Sequence, residues 1–244
     1  MIETALQKFA LMGASWVLYL LLAMSIFSIG IICERTLFFR AHSGDTDSLG
    51  DSLLRLLKAG DRRGAEALLA ASKTIEAAIL LPALAWLDGG PESVAEALES
   101  STVKKRGELE RGLTSLGTLG NNAPFVGLFG TVIGVIQAFH MLGASGGGGN
   151  QAAMGNVIVA ISDALIATGV GLIVALPAVV GYNLAQKKVS SIENNVAVIS
   201  KNILALLKAD PKLLAEFAAQ AEASTESETA DDAALAADTQ PELS

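Results

Sequence analysis

One carboxylate stands inside a stretch that otherwise reads as hydrocarbon. Asp163 is the only acid between Val157 and Tyr182, a run interrupted besides by one proline, Pro177. A charge at the centre of a membrane helix costs ~2.5–3.5 kcal/mol on insertion scales, so such residues are by default functional. The plainer reading is an acid near the span boundary, hydrogen-bonded to a neighbouring helix. Two hydroxyls accompany it. Thr131 belongs to the stripe Gly127, Thr131, Gly134, Ala138, and Thr168 to the stripe Ala164, Thr168, Gly171, Ala175. At ~100° per residue each set falls within about 60° of a helix face. Gly130 and Gly134 also make a Gly-xxx-Gly step. Small residues let helix backbones approach closely, which is the ordinary reading of these glycines and alanines. A threonine oxygen in such a stripe can also serve a passing cation or a partner side chain, and for Thr131 and Thr168 both readings stay open. Thr168 lies about 140° around an ideal helix from Asp163, so both cannot face one lumen squarely. Either Pro177 and local distortion rotate the helix, or Asp163 sits at a subunit seam while Thr168 faces inward.

Other chemistries find little support. There is no Gly-Lys pair, hence no phosphate loop for ATP. His42 and His140 lie far apart and Cys33 is the only cysteine, so no zinc site, disulfide, metal or cofactor is expected. The chain reads as no enzyme. Work done without a nucleotide needs another source, and the transmembrane potential supplies ~2.3 kcal/mol per charge per 100 mV. His140 reads as an interfacial polar tip, Cys33 as a packing residue, and Lys104, Lys105, Arg106 and Arg111 as a juxtamembrane anchor.

The elements that must position these residues follow from composition. Of 244 residues 51% are hydrophobic and 17% charged, whereas soluble domains carry about 25% charged residues. The lipid bilayer is the expected solvent for an all-α chain. Three runs reach the ~20 residues a spanning helix needs: 11–33, about 124–142, which continues an apolar stretch beginning near 113, and 157–182. The first is too long for a secretory signal and is read as a retained span. Of the 17 bases, only Lys8 lies before the first span, none lies between spans two and three, and eleven fall in 34–112. The excess of bases on one side turns residues 1–10 and the loop 143–156 outward, into the periplasm if the membrane is that of a Gram-negative cell, and places both 34–112 and the C-terminus in the cytoplasm.

The cytoplasmic parts are expected to be helical. Leu49, Leu53, Leu56 and Leu57 recur at helical spacing, Gly60-Asp61 breaks the run, and Ala65–Ala71 resumes it. Pro91 suits the first position of a helix that continues without a break into the second span. Ile192, Val196, Ile199, Ile203 and Leu206 form a packing seam over 183–212. Residues 213–244 hold eight acids and no base, so residues 1–212 are formally neutral, and this tail is read as disordered.

The stretch Asn122-Ala-Pro-Phe-Val-Gly-Leu-Phe-Gly-Thr-Val-Ile-Gly134, with Ala160-Ile-Ser-Asp-Ala-Leu-Ile-Ala-Thr168 and Gly171-Leu-Ile-Val-Ala-Leu-Pro-Ala-Val179, resembles the MotA/TolQ/ExbB proton-channel family. Three spans rather than four favour its TolQ/ExbB branch, and the likeness covers roughly 113–183. The resemblance implies an inner-membrane protein of Gram-negative bacteria whose copies form a pentameric ring. It implies a partner of ExbD or TolR type inside that ring, with a single transmembrane helix bearing an aspartate. A TonB- or TolA-type or motility effector would take the work to the cell envelope; no nucleic acid is implied. By position, Thr131 and Thr168 match the family's pore-lining threonines. Gly127, Gly130, Gly134, Gly171, Pro124 and Pro177 are read, from residue type and spacing, as helix-packing residues. Asp163 stands where TolQ and ExbB carry glutamate, and the shorter acid leaves H⁺ and Na⁺ open as the transported ion. Two rival readings are a non-conducting membrane scaffold and a self-sufficient cation channel. A neighbouring gene for one spanning helix with an aspartate distinguishes the motor from the scaffold, and flux from the chain alone marks the channel.

Overall fold

The computed structural model describes residues 15–144 and 151–220, all side chains included except those of 152 and 153. The expected N-terminal segment 1–10, the centre of the glycine loop and the tail beyond 220 lie outside the described residues. Eight helices and one short 3₁₀ turn, Leu87–Gly89, make up the described chain, with no strand among those residues. They are α1 (Ser15–Ala41), α2 (Thr46–Lys58), α3 (Arg62–Ala71), α4 (Ile75–Leu84), α5 (Gly90–Leu109), α6 (Leu113–Ala144), α7 (Gln151–Ala209) and α8 (211–220). Three of them, α1, α6 and α7, are long and apolar enough to cross a membrane.

The chain divides into two compact units, one of residues 15–38, 110–144 and 151–188, the other of 39–109 and 189–220. In the first, α1 packs on the pair α6 and α7 through two small cores. Val17 and Leu21 meet Ala123, Ile133, Val174 and Ala175. Ile31 meets Leu116 and Ala178. Large apolar side chains cover the outside, among them Tyr19, Phe27, Phe125, Phe139, Leu165 and Leu176. Such a surface suits hydrocarbon or other copies, and would be unusual against water. Arg35 is buried despite its charge; it pairs with Glu34 at 2.5 Å and lies 5.1 Å over the ring of Phe38. Pro124 and Pro177 each deprive the carbonyl four residues earlier of its helical donor.

Side-chain caps frame the second unit. Asp45, Asp61 and Thr74 each stand just before a helix and accept from a backbone N–H three residues on, at 3.1, 2.8 and 3.3 Å. These close donors that a helix N-terminus leaves unpaired. Gly60 takes φ +71, the left-handed conformation that ends α2. The core is mostly leucine and isoleucine: Leu53, Leu57 and Leu69, then Ile75, Ile79, Leu80 and Leu84 among the seven buried residues of α4, and a ridge along α7. Buried Glu76 on α4 accepts from Thr46 at 3.2 Å and Asn195 at 3.0 Å, tying α2, α4 and α7 through one carboxylate oxygen.

Three expectations need correction. No helix runs unbroken from Pro91 into the second span. Gly112 has φ +77 between α5 and α6, and that left-handed residue ends one helix and starts another. The seam on α7 closes at Leu207, not at Leu206, because its last step from Ile203 is four residues. Residues 213–220, expected to begin a disordered tail, belong to α8: Leu213 and Phe217 are buried one turn apart. On the same helix Gln220 donates to the carbonyl of Gly60 at 2.8 Å.

Candidate functional site

The pairing of α6 with α7 is antiparallel and made by glycine. A Cβ added at Gly120 would lie 2.7 Å from Val179 Cγ2 and 3.0 Å from its backbone nitrogen. At Gly127 it would lie 2.8 Å from the carbonyl oxygen of Ala167 and 3.0 Å from Thr168 Cα. At Gly134 it would collide with Ala164 and come within 3.1 Å of the Ala160 carbonyl oxygen. From the other side, Gly171 faces the Ala123 carbonyl oxygen at 2.8 Å. Gly130 serves α7 and α1 together, with Ala167 Cβ at 2.8 Å and Val17 at 3.2 Å. Five of these contacts are with backbone atoms, which cannot give way as a flexible side chain does.

The two threonines sit on this glycine-lined pair. Thr131 is half-buried, and its hydroxyl donates to the Leu128 carbonyl at 2.7 Å. With its proton committed to the backbone, the oxygen keeps acceptor capacity. Thr168 packs against Gly127, and its Oγ1 is buried with no hydrogen-bond partner among the described residues. A buried unpaired hydroxyl costs about 1–3 kcal/mol, so it needs an explanation.

Asp163 takes another face. It lines a groove of about 510 Å³ together with Ser15 and Leu18 of α1, Gln137 and Met141 of α6, and Asn156, Val159 and Ala160 of α7. Thr168 thus meets α6 while Asp163 opens onto all three helices, as their separation around the helix requires. Ser15, Gln137 and Asn156 were not singled out from sequence. Their signal was available: Asn156 precedes Asp163 by seven residues, two helical turns on one face.

Three further residues depart from expectation. Cys33 is exposed, not packed, because the buried face of α1 carries Ile31 and Arg35. Pro177 is exposed and Pro124 half-buried, since Ala178, Ala175 and Ala123 take the contacts beside them. In the basic cluster, Lys105 pairs with Glu108 at 2.5 Å and Arg106 with Glu193 at 3.5 Å. The hydrogen bond from Lys105 and its charge hold the Glu108 carboxyl below the usual range. His140 is exposed on α6. Among the described residues no group of three or more His, Cys, Asp or Glu could hold a metal ion.

The family model described as the MotA/TolQ/ExbB proton channel family matches residues 71–197. The Tol-Pal system protein TolQ of Pseudomonas aeruginosa is 41% identical over 96 residues, 39% of this chain and 40% of that protein. The biopolymer transport protein ExbB of Xanthomonas campestris pv. campestris is 42% identical over 101 residues, 41% of this chain and 38% of the relative. An ExbB-like protein of Helicobacter pylori, putatively a biopolymer transport protein, is 45% identical over 80 residues, 33% of this chain and 51% of its own. The chain therefore spans from about two fifths to a half of the length of these relatives.

Proposed function

The chain belongs to the MotA/TolQ/ExbB proton channel family, and we propose that it is the channel-forming stator subunit of a motor driven by the proton-motive force. It sits in the inner membrane of a Gram-negative bacterium, with its N-terminus in the periplasm and its C-terminus in the cytoplasm. Copies of it form a ring, a pentamer, around a single-span partner of ExbD or TolR type that carries a transmembrane aspartate. Cations pass that aspartate beside Thr131 and Thr168, and the ring converts their descent into work on the cell envelope. The relatives are named for a Tol-Pal system and for biopolymer transport, two outputs of the kind proposed.

One observation carries the reading. In the stretch that the family model matches, two helices are held at glycine contact and present one threonine hydroxyl whose proton is committed and one with no partner among the described residues. Packing alone explains the glycines. It does not explain a hydroxyl at Thr168, where an apolar residue of equal size would avoid the cost of desolvation. An ion path does, since a cation gives the hydroxyl oxygen a ligand and a partner carboxylate accepts the hydroxyl proton.

The test is substitution in cells that hold the partner. Thr131→Leu and Thr168→Leu are expected to abolish partner-driven work while the complex still assembles, read by co-purification of the partner. Full activity in both variants refutes the pore assignment. Asp163→Asn is expected to impair proton flux strongly; wild-type flux would leave Asp163 a packing acid.

A further inference from the structure

The groove that holds Asp163 has a chemistry of its own. Its polar side chains come from all three candidate spans: Ser15 from α1, Gln137 from α6, Asn156 and Asp163 from α7. The same helices carry Phe139, Ile158 and Leu165 on exposed positions outside it. Amides and carboxylates facing lipid tails would stay unpaired at a cost of several kcal/mol each, so the groove must face water or a polar species. Every polar side chain among the described lining residues bears an oxygen, and none of those residues is Lys, Arg or His. With one carboxylate its formal charge is −1. Calcium takes six to eight oxygens, usually from several carboxylates, so a divalent ion is poorly matched.

We infer that this groove is a binding vestibule for a hydrated monovalent cation, in which Gln137 and Asn156, with Ser15, replace part of the hydration shell while Asp163 supplies the charge. The cation is Na⁺ or a hydrated proton. The inference rests on the stator reading and deepens it, by adding residues that choose the ion before it reaches the threonines. Gln137 and Asn156 are positioning residues: they act on the cation's water and on Asp163, and no direct hydrogen bond among the described residues joins them to that acid. Among the described residues Asp163 is the only titratable side chain that lines the groove; His140 on α6 does not.

The experiment uses the full chain in lipid nanodiscs and follows modification of Asp163 by dicyclohexylcarbodiimide, a carboxyl reagent, with peptide mass spectrometry. Rates are compared in sodium chloride and choline chloride across a pH series. Slower labelling in sodium than in choline identifies Na⁺. Equal rates in both salts, with a pH midpoint that moves when Gln137 or Asn156 is replaced, identify the proton. In either case Gln137→Leu and Asn156→Leu should change the protection about fivefold or more, the equilibrium worth of one modest hydrogen bond. Circular dichroism checks the helicity of both, and if Gln137→Leu misfolds, Asn156→Leu decides. A wild-type profile in the folded variants overturns the inference, and so does labelling indifferent to salt and pH. The assay needs neither partner nor work. Normal groove behaviour with active threonine variants sinks the stator reading alone, and the reverse result sinks the vestibule alone.

Discussion

At Thr168 stability and function pull in opposite directions, which makes the residue more informative than its type suggests. Its hydroxyl is buried beside Gly127 without a partner among the described residues. Thr168→Val keeps the shape and removes the unpaired group, so the isolated chain should gain about 1 kcal/mol, read as a higher midpoint of thermal unfolding in detergent. Partner-driven work should be lost in the same variant, and Thr168→Ser should retain it. A scaffold residue would show the first effect without the second. Asp163 and both threonines were legible in the sequence because each is a polar type inside an apolar run. Gln137 was not, and Asn156 only through its seven-residue spacing from Asp163, because amides near span ends are common and only the third dimension gathers them into one groove.

Among the elements, the α6–α7 pair tolerates nothing larger than glycine where backbone meets backbone. Gly127→Val would press on the Ala167 carbonyl and Thr168 Cα, and overpacking of this kind costs typically about 1–3 kcal/mol. The expected result is loss of thermal stability together with loss of assembly, whereas Gly143→Ala, with open space around it, should be silent. In the second unit Glu76 plays the corresponding role with hydrogen bonds. Glu76→Leu strands the Thr46 hydroxyl and the Asn195 amide, at about 1–3 kcal/mol. Glu76→Gln keeps an accepting oxygen and should be nearly neutral; equal losses in both would mean that volume alone matters there. Periodicity revealed α2, α3 and the ridge on α7, since leucines and isoleucines recur at the helical step. It missed the break at Gly112, because a glycine within a run does not announce a positive φ. It missed α8 as well, because the acids around Leu213 and Phe217 masked a buried pair one turn apart.

For the molecule as a whole, the open matter is which way it faces, and charge decides the expectation. A base near the cytoplasmic leaflet gains about 1 kcal/mol from anionic lipid, and short loops rich in Lys and Arg stay inside. Here 16 of the 17 bases lie on one side of the three spans. A three-span chain puts its termini on opposite faces, so the short basic-free loop before α7 must share the side of the N-terminus. The sequence offers a clean way to check this, because Cys33 is the only cysteine and is removable by Cys33→Ser. In that background Gly143→Cys should react with a membrane-impermeant maleimide added to spheroplasts. Lys201→Cys, at an exposed position on α7, should react only after the membrane is opened. The reverse pattern would invert the chain and direct the groove of Asp163 toward the cytoplasm. Cations driven inward by the membrane potential would then leave by that groove instead of entering there, and the vestibule would become an exit.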